Sequence, residues 1–129
     1  MNSIIWSPSA EATQGIGAYD ISYSCIKHGA VPEGEGNINA DPGLLKNRLI
    51  PASGSPCIDA GANIALPEDA FDLDMDGDLS EPIPIDLGGR PRFLDEPGVV
   101  DTGNGSAPIV DMGAFEFGGY RASTFLAMD

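Results

Sequence analysis

Glycine and proline interrupt this chain so often, seventeen and eleven times in 129 residues, that many turns between short strands are expected rather than helices. The best helical stretch, Pro67 to Phe71, is bounded by a proline and an acidic run, which limits it to one turn. The remaining apolar runs are of strand length: Ser3 to Trp6, Asp20 to Ile26, Gly36 to Ala40, Pro56 to Ala60, Ile83 to Leu87 and Ile109 to Phe117. In Ile21-Ser22-Tyr23-Ser24-Cys25-Ile26 apolar residues alternate with serines, the pattern of a half-buried strand. Asp41-Pro42 and Ser55-Pro56 each push the preceding residue out of the helical region and open an extended segment. Residues 91–108, rich in Gly, Pro, Asp and Asn, read as a long surface loop. An all-β fold in one domain follows, since the length allows one modest core.

The stretch Asp72-Leu73-Asp74-Met75-Asp76-Gly77-Asp78 carries the clearest chemical signal. Alternate carboxylates followed by a glycine are how a short loop wraps a hard cation, because Ca²⁺ takes six to eight oxygen ligands in a flexible shell. With Asp72 as loop position 1, Asp74, Asp76, Asp78 and Ser80 fall at positions 3, 5, 7 and 9. Ile83 then stands where an EF-hand needs its bidentate glutamate, and Pro82 and Pro84 forbid the helix that would leave such a loop. This is no EF-hand. A carboxylate from elsewhere must close the site, with Glu81 and Asp86 nearest, so the expected metal ligands are Asp72, Asp74, Asp76, Asp78, Ser80 and Asp86, and the expected ion is Ca²⁺. A solvated acidic turn is the plain alternative.

Six basic against twenty acidic residues give a net charge of −14, which repels nucleic acid and anionic membranes and favours cations. No segment approaches the roughly 18 consecutive apolar residues of a membrane span. The first residues, Met1 to Trp6, lack the pattern of a signal peptide. Cys25 and Cys57 could form one disulfide or remain small buried hydrophobes, and with His28 the single histidine and no C-x-x-C spacing, zinc is not expected.

Six short motifs occur in an order that resembles a known family: Asn2 to Trp6, Tyr23 to Ile26, Gly36 to Pro42, Ser55 to Gly61, Asp86 to Arg92 and Val110 to Phe117. Together they are similar to the C-terminal end of large secreted bacterial right-handed parallel β-helix proteins of the pectin-lyase-like, choice-of-anchor type. The resemblance covers residues 2 to about 117. It implies the terminal coils of a right-handed parallel β-helix plus an irregular Gly/Pro-rich cap holding the calcium loop (72–86) and the long loop (91–108), with residues 118–129 as a tail. It also implies a secreted or surface-located parent protein. An uncovered first coil would leave an open solenoid end, through which a homo-oligomer is expected.

Three functions are consistent with these residues. The first is a calcium-stabilised terminal module, structural or adhesive, protecting a last coil from aggregation. The second is a Ca²⁺-dependent hydrolase of esters or phosphoesters, or a polysaccharide lyase, in which the loop metal polarises substrate. His28, Arg90 and Arg92 are the candidate catalytic groups for it, although His28 beside a glycine suits an exposed turn and the arginines suit a structural ion pair. The third is a carbohydrate-binding module, with Trp6, Tyr19 and Tyr23 as stacking candidates and a polysaccharide as partner. Asp59 and Asp111 could each serve a metal, but turn and cap roles are the ordinary ones for them.

Overall fold

Regular structure is confined to two three-residue strands and one 3-10 turn in the computed structural model, which describes residues 2–6, 21–27, 33–46 and 48–118. Strand β1 (Ile4–Trp6) pairs in parallel with β2 (Cys25–Lys27), in the register Ile4 to Cys25, Ile5 to Ile26 and Trp6 to Lys27. On the other side of β2 a single residue, Ile38, adds a parallel bridge to Cys25, with Ile26 N donating to Ile38 O at 2.8 Å and Ile38 N to Ser24 O at 2.9 Å. The 3-10 turn is Asn63–Ala65, and Pro67 to Phe71 carries a bridge at Glu68 and a turn at Ala70–Phe71 instead of the expected helical turn.

The expected β-helix is therefore corrected. Among the described residues there is a two-stranded sheet with isolated bridges and no stack of coils. The physical reason lies in the backbone, because nearly every expected strand contains a residue that cannot extend it. Tyr23 (φ 49°) stops β2 from running back towards Ile21, Asp59 (φ 50°) breaks the Pro56 to Ala60 run, and Gly113 (φ 96°) turns the Ile109 to Phe117 run. Left-handed conformations cost a non-glycine residue free energy and end a pleated ladder. In Ile83 to Leu87, Pro84 has no N–H to offer a ladder.

Side chains replace the missing ladders. Asn2 forms a two-way pair with Ala62, donating from Nδ2 to its carbonyl at 2.8 Å and accepting its N–H on Oδ1 at 2.7 Å. Asn63 accepts from Val110 N at 3.0 Å and donates to the carbonyls of Ser106 and Pro108. Asn37 bridges Ser24 N and the Ile21 carbonyl. Carboxylates do the same for the interior. Asp111 accepts from the N–H groups of Asp59 (2.8 Å) and Phe117 (2.6 Å), and Asp86 from those of Gly88, Arg90 and Glu116. Each satisfied buried group removes a penalty of about 1–3 kcal/mol that an orphaned one would carry.

The core gathers Tyr23, Cys25, Cys57, Ala60, Ala62 and Met112, with Ile4 and Ile38 packed against it. Cys25 and Cys57 are free, fully buried thiols, Cys25 Sγ donating to the Ala40 carbonyl at 3.4 Å, so they act as small core residues. Glycines allow the segments around this core to touch. A Cβ on Gly103 would overlap the carbonyl oxygen of Gly61 and lie 2.6 Å from Ile109 Cγ2, with main chain on the other side. Gly103→Ala is expected to lower unfolding free energy by about 3 kcal/mol, since backbone cannot give way as a side chain does. Urea unfolding of the two proteins measures the difference, and a loss below about 0.5 kcal/mol would mean that the 59–61 and 102–104 segments are not in register.

Candidate cation site in the acidic loop

The acidic loop is closed at its base by an antiparallel bridge between Glu68 and Pro82. Because Pro82 and Pro84 cannot donate, the clasp uses the positions that can: Asp69 N donates to Glu81 O at 2.8 Å and Ile83 N to Pro67 O at 3.0 Å. Asp69 thereby comes to face Glu81 across the loop mouth. Within the loop the chain reverses through left-handed residues Asp72 (φ 53°), Met75 (φ 61°) and Gly77 (φ 92°). Carboxylates hold these turns, with Asp72 accepting Gly77 N, Asp74 accepting Asp76 N and Asp76 accepting Asp78 N.

Two overlapping groups of carboxylates result. Asp72, Asp74 and Asp76 bring oxygens within 4.8 Å of one another, and so do Asp69, Asp74 and Glu81. The second group is the more telling. Asp69 is 1% exposed, one of its oxygens takes the Leu73 N–H at 2.7 Å, and the other, Oδ1, is buried without a partner. Glu81 Oε1 is likewise buried and unpartnered. Phe71 and Met75 are each 87% exposed, and of the loop's acids Asp69 is buried, Asp72 and Glu81 are half-buried, and Asp74, Asp76 and Asp78 are exposed. Burial and then the charges of Asp76 and Asp74 raise the pKa of Glu81, whereas hydrogen bonds from Ser80 lower that of Asp78.

Of the residues expected from the sequence as ligands, Asp72, Asp74 and Asp76 are brought together. Asp78 and Ser80 stand apart, the Ser80 hydroxyl and N–H both bonding to Asp78 Oδ1. Asp86 does not reach the loop, because its carboxylate is taken up by three N–H groups of its own turn and the last segment. Glu81, one of the two nearest closing carboxylates, is drawn in. Asp69 was missed. It lies within a stretch read as a helical turn, and the one available signal was an acid set immediately before Ala70-Phe71 and three residues ahead of the acidic run.

His28 lies outside the described residues. Arg92 is buried, with Nη1 3.3 Å from Glu116 and Nη2 donating to the carbonyls of Gly113 (2.7 Å) and Asp111 (3.5 Å). Glu116 in turn accepts the Asp111 N–H on both oxygens. Burial pushes the Asp111 carboxyl up to about 6 and, with the Asp111 charge added, that of Glu116 up to about 9, Arg92 opposing in both. This knot fastens the 111–117 segment to the core and keeps the Arg92 guanidinium buried in the interior.

No protein-family profile, characterised protein or solved structure matches this chain.

Proposed function

We propose that this protein is a calcium-stabilised structural module, in which a Ca²⁺ ion held by Asp69, Asp74 and Glu81, beside the Asp72 and Asp76 carboxylates, fixes the fold of residues 67–83. The observation that carries the reading is the buried, unpartnered oxygen pair of Asp69 and Glu81 facing Asp74. An isolated carboxylate oxygen out of water is costly, and a cation is the partner that several converging carboxylates share most favourably. Three carboxylates, able to bind through one or both oxygens, together with water supply the six to eight ligands of Ca²⁺. The ion would tie the clasp residues Asp69 and Glu81 to the loop tip. That is a cross-link, and Ca²⁺ in such a setting does mechanical rather than Lewis-acid work.

A secreted or surface setting, where calcium is abundant, belongs to the same proposal. So does self-association, supported by β1, whose outer edge has no strand partner among the described residues. Light scattering at micromolar concentration is expected to give a dimer, and a clean monomer would remove that part alone. Isothermal titration with Ca²⁺ tests the main reading. Binding in the wild type that weakens at least tenfold in Asp69→Asn is expected, whereas equal binding by both proteins, or none by the wild type, would overturn it.

A further inference from the structure

A second buried carboxylate oxygen without a partner lies elsewhere in the chain. Asp59 is fully buried, sits in the left-handed conformation (φ 50°), and its Oδ1 has no hydrogen-bond partner. The rest of the residue is firmly placed. Its N–H donates to Asp111 Oδ1 at 2.8 Å, its carbonyl accepts from Thr102 N (3.0 Å) and Gly103 N (3.1 Å), and Oδ2 accepts from Glu96 N at 3.3 Å. Those bonds pin the two ends of the 96–102 loop, and the residue just before each anchor is acidic: Asp95 precedes Glu96, and Asp101 precedes Thr102. Oxygens of Asp59, Asp95 and Asp101 consequently lie within 4.8 Å of one another.

We propose that Asp59, Asp95 and Asp101 form a second site for a hard divalent cation, distinct from the acidic loop, that staples the long 91–108 loop to the Ser55–Gly61 turn. Two segments far apart in sequence, the Ser55–Gly61 turn and the 91–108 loop, converge there, which a solvated acidic surface does not require. Asp59 supplies the buried oxygen, and the exposed Asp95 and Asp101 close the outer side while leaving room for water to complete the shell. Burial and the neighbouring Asp111, Asp101 and Asp95 charges make an uncompensated Asp59 carboxylate unfavourable, and a bound cation answers the same demand as a proton. The chemistry is that of Ca²⁺ or Mg²⁺, with all-oxygen donors and no nitrogen or sulfur.

The test is stoichiometry, by isothermal titration of calcium-free protein with Ca²⁺. Two equivalents are expected for the wild type and one for Asp101→Asn, a change at an exposed position that leaves folding intact. Asp59→Asn is expected to match Asp101→Asn, with circular dichroism confirming its fold. Asp69→Asn separates this site from the loop site. One equivalent in the wild type, lost in Asp69→Asn and kept in Asp101→Asn, overturns the second site and spares the loop. One equivalent lost in Asp101→Asn and kept in Asp69→Asn supports the second site and removes the loop reading.

Discussion

Saturating Ca²⁺ is expected to raise Tm by about 8 °C over the value in EDTA. A ligand a hundredfold above its Kd adds about 2.7 kcal/mol to folding, and each kcal/mol is worth about 3 °C in a chain of this size. Asp69→Asn discriminates by sign as well as size. In calcium it is destabilising, since the ion loses its most deeply buried ligand. In EDTA it is neutral or stabilising, since a buried charge with an unpartnered oxygen is replaced by an amide that still accepts the Leu73 N–H. Asp78→Asn, whose carboxylate is engaged with Ser80 outside both groups, is expected to keep the calcium response. Differential scanning calorimetry of the three proteins in both buffers gives the comparison. A wild-type Tm indifferent to EDTA would take calcium out of the account.

Stability without calcium is expected to fall as pH rises, the reverse of a protein held by ordinary surface carboxylates. Glu116 has its carboxyl raised from 4.5 to about 9 in the folded state, first by burial. The folded chain therefore holds a proton that the unfolded chain releases between those values, so its contribution is fully present below 4.5 and is lost as pH climbs towards 9. Three pH units inside that window correspond to at most about 4 kcal/mol. In EDTA, Tm is expected to be about 10 °C lower at pH 8.5 than at pH 5.5. Glu116→Gln keeps an acceptor for the Asp111 N–H and cannot ionise, so its Tm should be nearly flat over the same range. A wild-type Tm that rises with pH would show instead that the Arg92 contact, 3.3 Å away, keeps Glu116 ionised.

Some of this was legible in the sequence and some could not be. The first strand, the strandless run 91–108 and the gathering of Asp72, Asp74 and Asp76 all follow from local spacing, and local spacing is what a sequence displays. The failure of the solenoid does not. It turns on Tyr23 and Asp59 taking left-handed backbone conformations that neither residue type announces. Asp69 and Glu81 meet only because two prolines leave the clasp a single way to bond, so their pairing is a property of the closed loop. The same holds for Asp59, Asp95 and Asp101, which share a place through hydrogen bonds that cross 37 or more residues.

The side-chain latches that stand in for strands also set how this chain must fold in time. Asn2 waits for Ala62, Asp59 for Asp111 and Asn63 for Val110, separations of 60, 52 and 47 residues. Loop-closure entropy has to be met before such contacts return anything, and chains dominated by distant contacts fold slowly. In a growing polypeptide of this sequence the Asn2–Ala62 latch can close early, but the Asp59–Asp111 and Asn63–Val110 latches wait until residues 110 and 111 have left the ribosome. Residues 110 and 111 thus close the core late, long after their partners Asn63 and Asp59 have been made.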